Sequence, residues 1–295
     1  MKLAVAGRQV PISTPDRILW PATGMTKSDL ITYYLQVAAE LLPHLRSHPV
    51  TLRRFPDGVE GPQFFQTRAP SHPSWVRHVD LRSPNDKALS LVVLDDLASL
   101  VWAANISAIE LHPYLGTADD FDHPSQVVFD LDPGRPAGLV ACCTVAAELR
   151  ALLDDLHLRS FPKSSGGKGL HVHVPVDHAD FASSKAFSRA IAEMARERLP
   201  MLVTTSMRKE ERAGKVFIDW GQNDPWRSTI APYSARGFSL PTVAWPLRWD
   251  EVERVAATGD PSGLLVLISH VTERLDAGGD PWPGFFDVGQ SLPVP

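Results

Sequence analysis

Two hydrophobic spacings alternate along the chain. Leu30, Tyr33, Tyr34, Val37, Ala38 and Leu41 recur three or four residues apart, the period of one helix face. Thr26-Lys27-Ser28-Asp29 immediately before them reads as a capping box, so a helix should start there. Pro43, with no backbone N–H to donate, should end or kink it. Asp95 to Asn105, with Leu97, Leu100 and Val101 on one side, is also helical in pattern, as are Leu139 to His157 and Ser184 to Leu199. Strand-like runs occupy Val50 to Arg54, Gln63 to Gln66, Val127 to Asp132, Leu170 to Val176 and Lys215 to Trp220. Pro56-Asp57-Gly58 reads as a turn, Pro133-Gly134 stops a strand, and Pro162 to Gly169 reads as a loop. Interleaved helix and strand signals predict a mixed α/β (α+β) fold with helices packed on sheet. Periodicity leaves strand direction open.

Composition narrows the class. The chain has 295 residues, enough for one large domain or two small ones, with 44% hydrophobic and 21% charged residues, the profile of a globular enzyme. Its 29 Lys and Arg against 34 Asp and Glu give a formal charge of -5, unlike a non-specific nucleic-acid coat, although a local basic patch can still bind nucleic acid. No apolar run approaches the roughly 18 residues of a membrane span, and the N-terminus lacks a signal-like apolar core, so an intracellular protein with no membrane partner is expected. Cys142 and Cys143 are adjacent and are the two cysteines of the chain, which excludes a disulfide framework and a cysteine-based zinc site.

The candidate chemistry lies in the strands. In Val127-Val128-Phe129-Asp130-Leu131-Asp132, alternation sends Asp130 and Asp132 to one face, with Cα atoms roughly 6.5–7 Å apart. Two like charges there need solvent or a cation; solvated strand-end acids are the plain alternative. Asp219, in the apolar run Phe217-Ile218-Asp219-Trp220, also needs a partner, which could be an arginine or a turn. Three convergent carboxylates would suit magnesium or manganese, and a two-ion site supports in-line nucleotidyl transfer. Ser164-Ser165-Gly166-Gly167-Lys168-Gly169 offers backbone N–H groups with Ser165 and Lys168 as donors to an anion. It is not a Walker A loop, since Gly169 stands where Ser or Thr should and a strand follows; a hairpin turn with an exposed lysine is the alternative. His171 is expected as a donor to phosphate and His173 as a structural residue.

These pieces, in this order, resemble the archaeo-eukaryotic primase-polymerase superfamily, and most closely the polymerase domain of bacterial DNA ligase D and its stand-alone relatives. The matching segments are Leu19-Trp20-Pro21-Ala22-Thr23-Gly24 with Thr26-Lys27-Ser28-Asp29, Arg53-Arg54-Phe55-Pro56-Asp57-Gly58, Phe64-Phe65 and Glu110-Leu111-His112. They continue with Val128-Phe129-Asp130-Leu131-Asp132-Pro133-Gly134, Ser165-Gly166-Gly167-Lys168-Gly169-Leu170-His171 and Arg212 to Trp220 with Gln222-Asn223. The last is Ala231-Pro232-Tyr233-Ser234-Ala235-Arg236-Gly237. The resemblance implies a primase-polymerase fold, central β-sheets flanked by helices with the active site in the cleft between them. It suggests one domain over 1–295, with a 5′-phosphate pocket in about 1–115, a catalytic part in about 116–240 and a helical tail in about 241–295.

On this resemblance, the activity is template-dependent addition of nucleotides at a DNA 3′ end, usually with manganese and a preference for ribonucleotides, at short gaps or breaks in repair. Asp130, Asp132 and Asp219 would hold two ions, Mn2+ or Mg2+. Ser165, Lys168, His171 and Arg236 would bind the incoming NTP or dNTP, with His112 beside it, and Phe64 and Phe65 would stack on its base. Arg53 and Arg54 match a basic pair that contacts nucleotide or DNA phosphates. Arg17 and Lys27 match the pocket that grips the 5′-phosphate of gapped or broken DNA. Arg208, Lys209 and Arg212 lie in a segment, Met207 to Arg212, matching a loop that presents DNA ends and places the primer. A bacterial, nucleoid-associated cytoplasmic setting is implied, with a separate DNA ligase and an end-binding protein as partners, since 295 residues leave no room for ligase or nuclease domains.

The sequence also departs from the pattern. Arg17 and Arg53 replace common lysines, Thr14 stands where asparagine is frequent, and Phe238 occupies a position that is often a second arginine. Other readings are a non-catalytic end-bridging module, a primer-synthesising primase, and a metal-dependent phosphoesterase. Retention of three carboxylates near DNA argues against the first.

Overall fold

Thr26 opens the first helix as its sequence requires. Its hydroxyl accepts from the Asp29 N–H at 3.3 Å, and the Asp29 carboxylate accepts from the Thr26 N–H at 2.7 Å. The computed structural model describes residues 1–83, 85 and 87–293. Two compact units make up the chain: Met1–Asp119, Ser228–Ala244 and Leu267–Ala277 form one, and Asp120–Arg227, Trp245–Val266 and Gly278–Pro295 the other. The predicted mixed α/β architecture, with sheets flanked by helices, is present in both units.

In the first unit, short hairpins β1 (Lys2–Val5) with β2 (Arg8–Pro11) and β3 (Ile18–Trp20) with β4 (Met25–Thr26) precede helix α1 (Lys27–Gln36). The helical run does not continue unbroken to Leu41. Val37 (φ -97°, ψ 10°) ends α1, and α2 (Ala38–Leu45) begins at once with Pro43 inside it. Of the expectation that Pro43 ends or kinks the helix, the ending is corrected: the break comes earlier, at Val37, and Pro43 lies inside the short second helix, where it removes one hydrogen bond. Leu30, Tyr34, Val37, Leu41 and Leu45 are fully buried on both sides of the break, which is why the apolar period reads through it. The buried hydroxyls of Tyr33 and Tyr34 donate to the carbonyls of Tyr233 and Ile109, each at 2.6 Å.

Strands β5 (Pro49–Arg54), β6 (Phe64–Gln66), β7 (His78–Arg82) and β8 (Ala88–Val93), helix α3 (Leu97–Asn105) and strand β9 (Ala108–Pro113) complete this part of the chain. β5 is the axis of an antiparallel sheet. β9 lines one of its edges, while β8 and β6 share the other, end to end, with β7 outside β8. Residues 228–237 run beside β9: the Ala231 N–H donates to Leu111 O, and the Leu111 N–H donates to the Ser234 hydroxyl.

The second unit is built on β10 (Gln126–Pro133), α4 (Leu139–Asp155), β11 (Phe161–Ser164), β12 (Leu170–Pro175), α5 (Phe181–Arg198), β13 (Val203–Thr204), β14 (Val216–Asp219) and α6 (Trp249–Thr258). The sheet order is β11-β12-β10-β14-β13, antiparallel except for the last pair. Here the loop expected from Pro162 is corrected: Phe161 to Ser164 is a buried edge strand and the turn is confined to 165–169. An edge position tolerates the absence of the N–H that Pro162 lacks, and the Pro162 carbonyl accepts from Trp282 Nε1 at 2.8 Å. Both cysteines are buried thiols of α4. Among the described residues no helix is long and apolar enough to cross a membrane.

Candidate active site

Ladder register fixes the acidic face of the second unit. Asp130 lies directly opposite Asp219 on β14 and opposite His171 on β12, and Asp132 is two residues along the same strand. Because the pleat alternates with period two and opposed residues share a side, all three aspartates and His171 face one way. The His171 Nε2 stands 3.4 Å from Asp130 Oδ1. Burial pushes the Asp219 carboxyl above its ordinary range; the Arg227 guanidinium opposes this, and the charge of Asp132 adds to it. Among the described residues, no three His, Cys, Asp or Glu side chains are gathered closely enough to hold an ion as they stand. The donor set nevertheless fits a hard divalent cation: oxygen ligands alone, on one face, with a repulsion that such a charge would relieve.

The turn after β11 closes over the end of β10. The Ser165 N–H donates to Gly169 O at 3.1 Å, and the Gly169 N–H donates to the Ser165 hydroxyl at 3.3 Å. Gly166 takes φ +74°, and a Cβ on Gly169 would come within 2.6 Å of the Leu131 carbonyl, so both positions require glycine. Lys168 is exposed, with its ammonium 3.4 Å from Pro133 O, just past the two aspartates of β10. His173 is fully buried, bonded to Gln126 at 2.7 Å and packed against Trp282, the structural part expected of it.

In the first unit three of the expected nucleotide residues, Arg53, His112 and Arg236, gather on one side chain that the sequence reading left without a role. Glu110, fully buried on β9, is opposite Arg53 of β5, and Arg53 is in turn opposite Phe65 of β6. One Arg53 nitrogen lies 3.1 and 3.2 Å from the two Glu110 oxygens. His112 Nε2 is 2.9 Å from Oε2, the Gly237 N–H donates to Oε1 at 3.0 Å, and Arg236 Nη1 stands 3.5 Å from Oε2. Burial alone would raise the Glu110 carboxyl, but the His112 hydrogen bond and the Arg236 charge outweigh it and hold the group at about 2. Burial lowers His112, against the pull of Glu110. Glu110 has a sequence signal in hindsight: a charged residue two positions before His112 on a strand, opposite an arginine.

The Arg53 guanidinium lies 5.3 Å from the centre of the Phe65 ring, and that ring meets His112 edge-on at 5.6 Å. Phe64 and Arg54 form the next cross-strand pair, with the cation 5.4 Å from the ring centre, on the opposite face of β6. The two exposed phenylalanines are thus not brought to a common face. Arg236 sits over Phe238, 4.9 Å from its centre.

Lys27 is buried to 4% exposure at the start of α1, and its ammonium donates to Ser13 O at 2.8 Å and to the Thr14 hydroxyl at 3.0 Å. Burial, then the charges of Arg17 and Arg54, lower its pKa, so three cations share this corner. Arg17 pairs with Asp57 at 2.7 Å, and Arg54 Nε donates to Ile106 O at 2.9 Å. Of the expected primer-placing residues, Arg208 and Lys209 are exposed, whereas Arg212 turns in over the Phe217 ring, 3.6 Å from its centre, and donates to Met207 O.

Residues 26–282 match the family described as LigD, primase-polymerase domain. The chain is 39% identical over 278 residues to the multifunctional non-homologous end joining protein LigD of Mycolicibacterium smegmatis, covering 92% of this chain and 35% of that protein. It is 32% identical over 282 residues to the bifunctional LigD of Bacillus subtilis, covering 95% and 44%. The chain therefore spans only about a third to under half of these curated relatives. Among solved structures, the polymerase domain from Mycobacterium tuberculosis ligase D, in complex with DNA, aligns with a TM-score of 0.84 at 36% identity, covering 92% of this chain and 96% of that one.

Proposed function

Since the chain belongs to the LigD primase-polymerase domain family, a group of DNA-repair nucleotidyltransferases, we propose that it extends a DNA 3′ end by one or a few nucleotides across short gaps or breaks, guided by a template and by the downstream 5′-phosphate. The observation that carries this reading is the register placing Asp130 opposite Asp219 with Asp132 on the same face. Asp130, Asp132 and Asp219 would hold two divalent ions, manganese or magnesium. Once bound, these would supply the positive charge that activates a 3′-hydroxyl and neutralises a triphosphate.

The chain's own groups do the rest. Lys168, at the turn past Asp132, and the Ser165 hydroxyl, which accepts from the Gly169 N–H and keeps its own proton to donate, offer donors to the phosphates, with His171 held beside Asp130. In the first unit Arg53, His112 and Arg236 are the proposed nucleotide contacts, and Phe65 offers a ring face on which any base can stack. Lys27, already buried beside two arginines and hydrogen-bonded to neutral oxygens alone, keeps its charge available for the 5′-phosphate. Such a local contact supplies affinity that a net charge of -5 does not, and two divalent ions would bring that figure to about -1. Gapped or broken DNA and nucleoside triphosphates are the proposed substrates, with a separate DNA ligase and an end-binding protein as proposed partners.

The test is extension on primer–template, gapped and unprimed DNA with both sugar types and both metals. Extension that is strongest on gapped DNA carrying a downstream 5′-phosphate supports the reading. Nucleotide release without template dependence contradicts it. Removing the 5′-phosphate should weaken binding of the wild type and have little effect on Lys27→Ala; equal losses in both would exclude Lys27 from the pocket.

A further inference from the structure

We propose that Glu110 is the positioning residue of the nucleotide site, the single buried carboxylate that sets Arg53, His112 and Arg236 in one arrangement before a nucleotide arrives. The inference rests on the functional reading above, because it takes those three residues as nucleotide contacts.

Strand geometry brings the group together. Glu110 and His112 share a face of β9, and the antiparallel register lays Arg53 across from Glu110 and Phe65 across from Arg53. Arg236 arrives from a different part of the chain. Its segment is braced on β9 through Ser234 and Leu111, and the Gly237 N–H ends on Glu110 Oε1. A Cβ at Gly237 would lie 2.0 Å from the Phe55 ring, so the segment presses against the sheet as closely as a glycine permits.

An ionised carboxylate has about four acceptor positions. At Glu110 these are taken up by Arg53, His112 and the Gly237 N–H, with Arg236 within 3.5 Å. No exposed oxygen is left to meet substrate, since the side chain has no accessible surface. Glu110 therefore acts through its neighbours. As an acceptor only, it requires the proton of a neutral His112 on Nε2 and turns Nδ1 the other way. It also holds two guanidinium groups near each other that would otherwise repel, leaving one net positive charge for phosphate. Through Arg53 its influence reaches Phe65, and through Arg236 it reaches Phe238.

A carboxylate that merely neutralised the arginines would behave in the opposite way: its removal would leave a more positive site and tighten triphosphate binding. The experiment uses the whole chain with a gapped DNA carrying a 5′-phosphate. Nucleotide KM and kcat are measured for wild type, Glu110→Gln, Glu110→Asp, Arg236→Lys and the Glu110→Gln/Arg236→Lys double variant, alongside DNA affinity. The expected result is a nucleotide KM raised roughly tenfold or more in Glu110→Gln, with gapped-DNA affinity within about twofold of wild type. Arg236→Lys should cost much less in the Glu110→Gln background than in wild type, because both act as one unit. Glu110→Asp, which keeps the charge but withdraws it by one methylene, should also raise KM, and it serves as the deciding variant if Glu110→Gln does not fold. An unchanged or lower KM in the folded variant, or fully additive costs, overturns the inference. A wild type that binds no nucleotide overturns the functional reading and the inference together, whereas wild-type binding with an unaffected variant removes the inference alone.

Discussion

On the family resemblance, Phe238 stands where a second arginine is expected, and its ring lies under the Arg236 guanidinium at 4.9 Å. The aromatic orients the first cation instead of adding another. Such a contact is worth about 0.5–2 kcal/mol. Phe238→Ala should therefore raise the nucleotide KM by roughly twofold to thirtyfold, and steady-state kinetics on gapped DNA would read this directly; an unchanged KM would mean that the ring does not orient Arg236. Thr14 is a second informative residue. It takes φ +43°, a left-handed conformation unfavourable for a β-branched side chain, while its hydroxyl accepts from Lys27. Asparagine tolerates that backbone and keeps an acceptor. Thr14→Asn should raise stability by about 1 kcal/mol, measured by chemical denaturation, with no loss of 5′-phosphate discrimination.

The end of β10 shows how tightly one element can constrain the next. Gly134 donates to Lys215 O and its carbonyl accepts from the Gly214 N–H, latching the segment after residue 207 to the strand that bears Asp130 and Asp132. A Cβ at Gly134 would lie 1.9 Å from the Arg212 carbonyl. Gly134→Ala should push that segment away, costing about 1–3 kcal/mol in an unfolding experiment and slowing extension more than DNA binding. Elements of this kind differ in how far the sequence reveals them. β10, α4 and the 165–169 turn were legible because alternation, helical period and glycine spacing are local signals. The capping box at Thr26 was legible for the same reason. β11 was not, because its Phe-Pro-Lys-Ser run reads as a loop until β12 pairs with it. The helix break at Val37 was hidden by an apolar face that continues across it. Asp130 and Asp132 could be paired from strand alternation alone, but their match to Asp219 depends on a ladder closing over nearly ninety residues. Glu110 was missed for a related reason: its role exists only when β5, β9 and the Arg236 segment meet.

For the molecule as a whole, Glu110 also sets an acid limit. Its carboxyl is held at about 2 in the folded chain against an ordinary 4.5, so the folded state binds this proton more weakly than the unfolded state does. The stability it contributes is fully present above pH 4.5, is lost as the pH falls toward 2, and is on the order of 3 kcal/mol. His112, also lowered, adds a loss in the same direction as the pH falls below 6.5. Denaturation curves should therefore weaken between pH 6.5 and 2, and Glu110→Gln should flatten the part below 4.5; an identical acid limb in that variant would contradict this assignment. The most direct test of the central claim, that the three aspartates form one nucleotidyl-transfer centre, is manganese-dependent extension of gapped DNA by Asp130→Ala, Asp132→Ala and their double variant, with DNA affinity measured in parallel. The account predicts that extension is abolished while binding to gapped DNA is largely kept. Substantial extension by the double variant would contradict it.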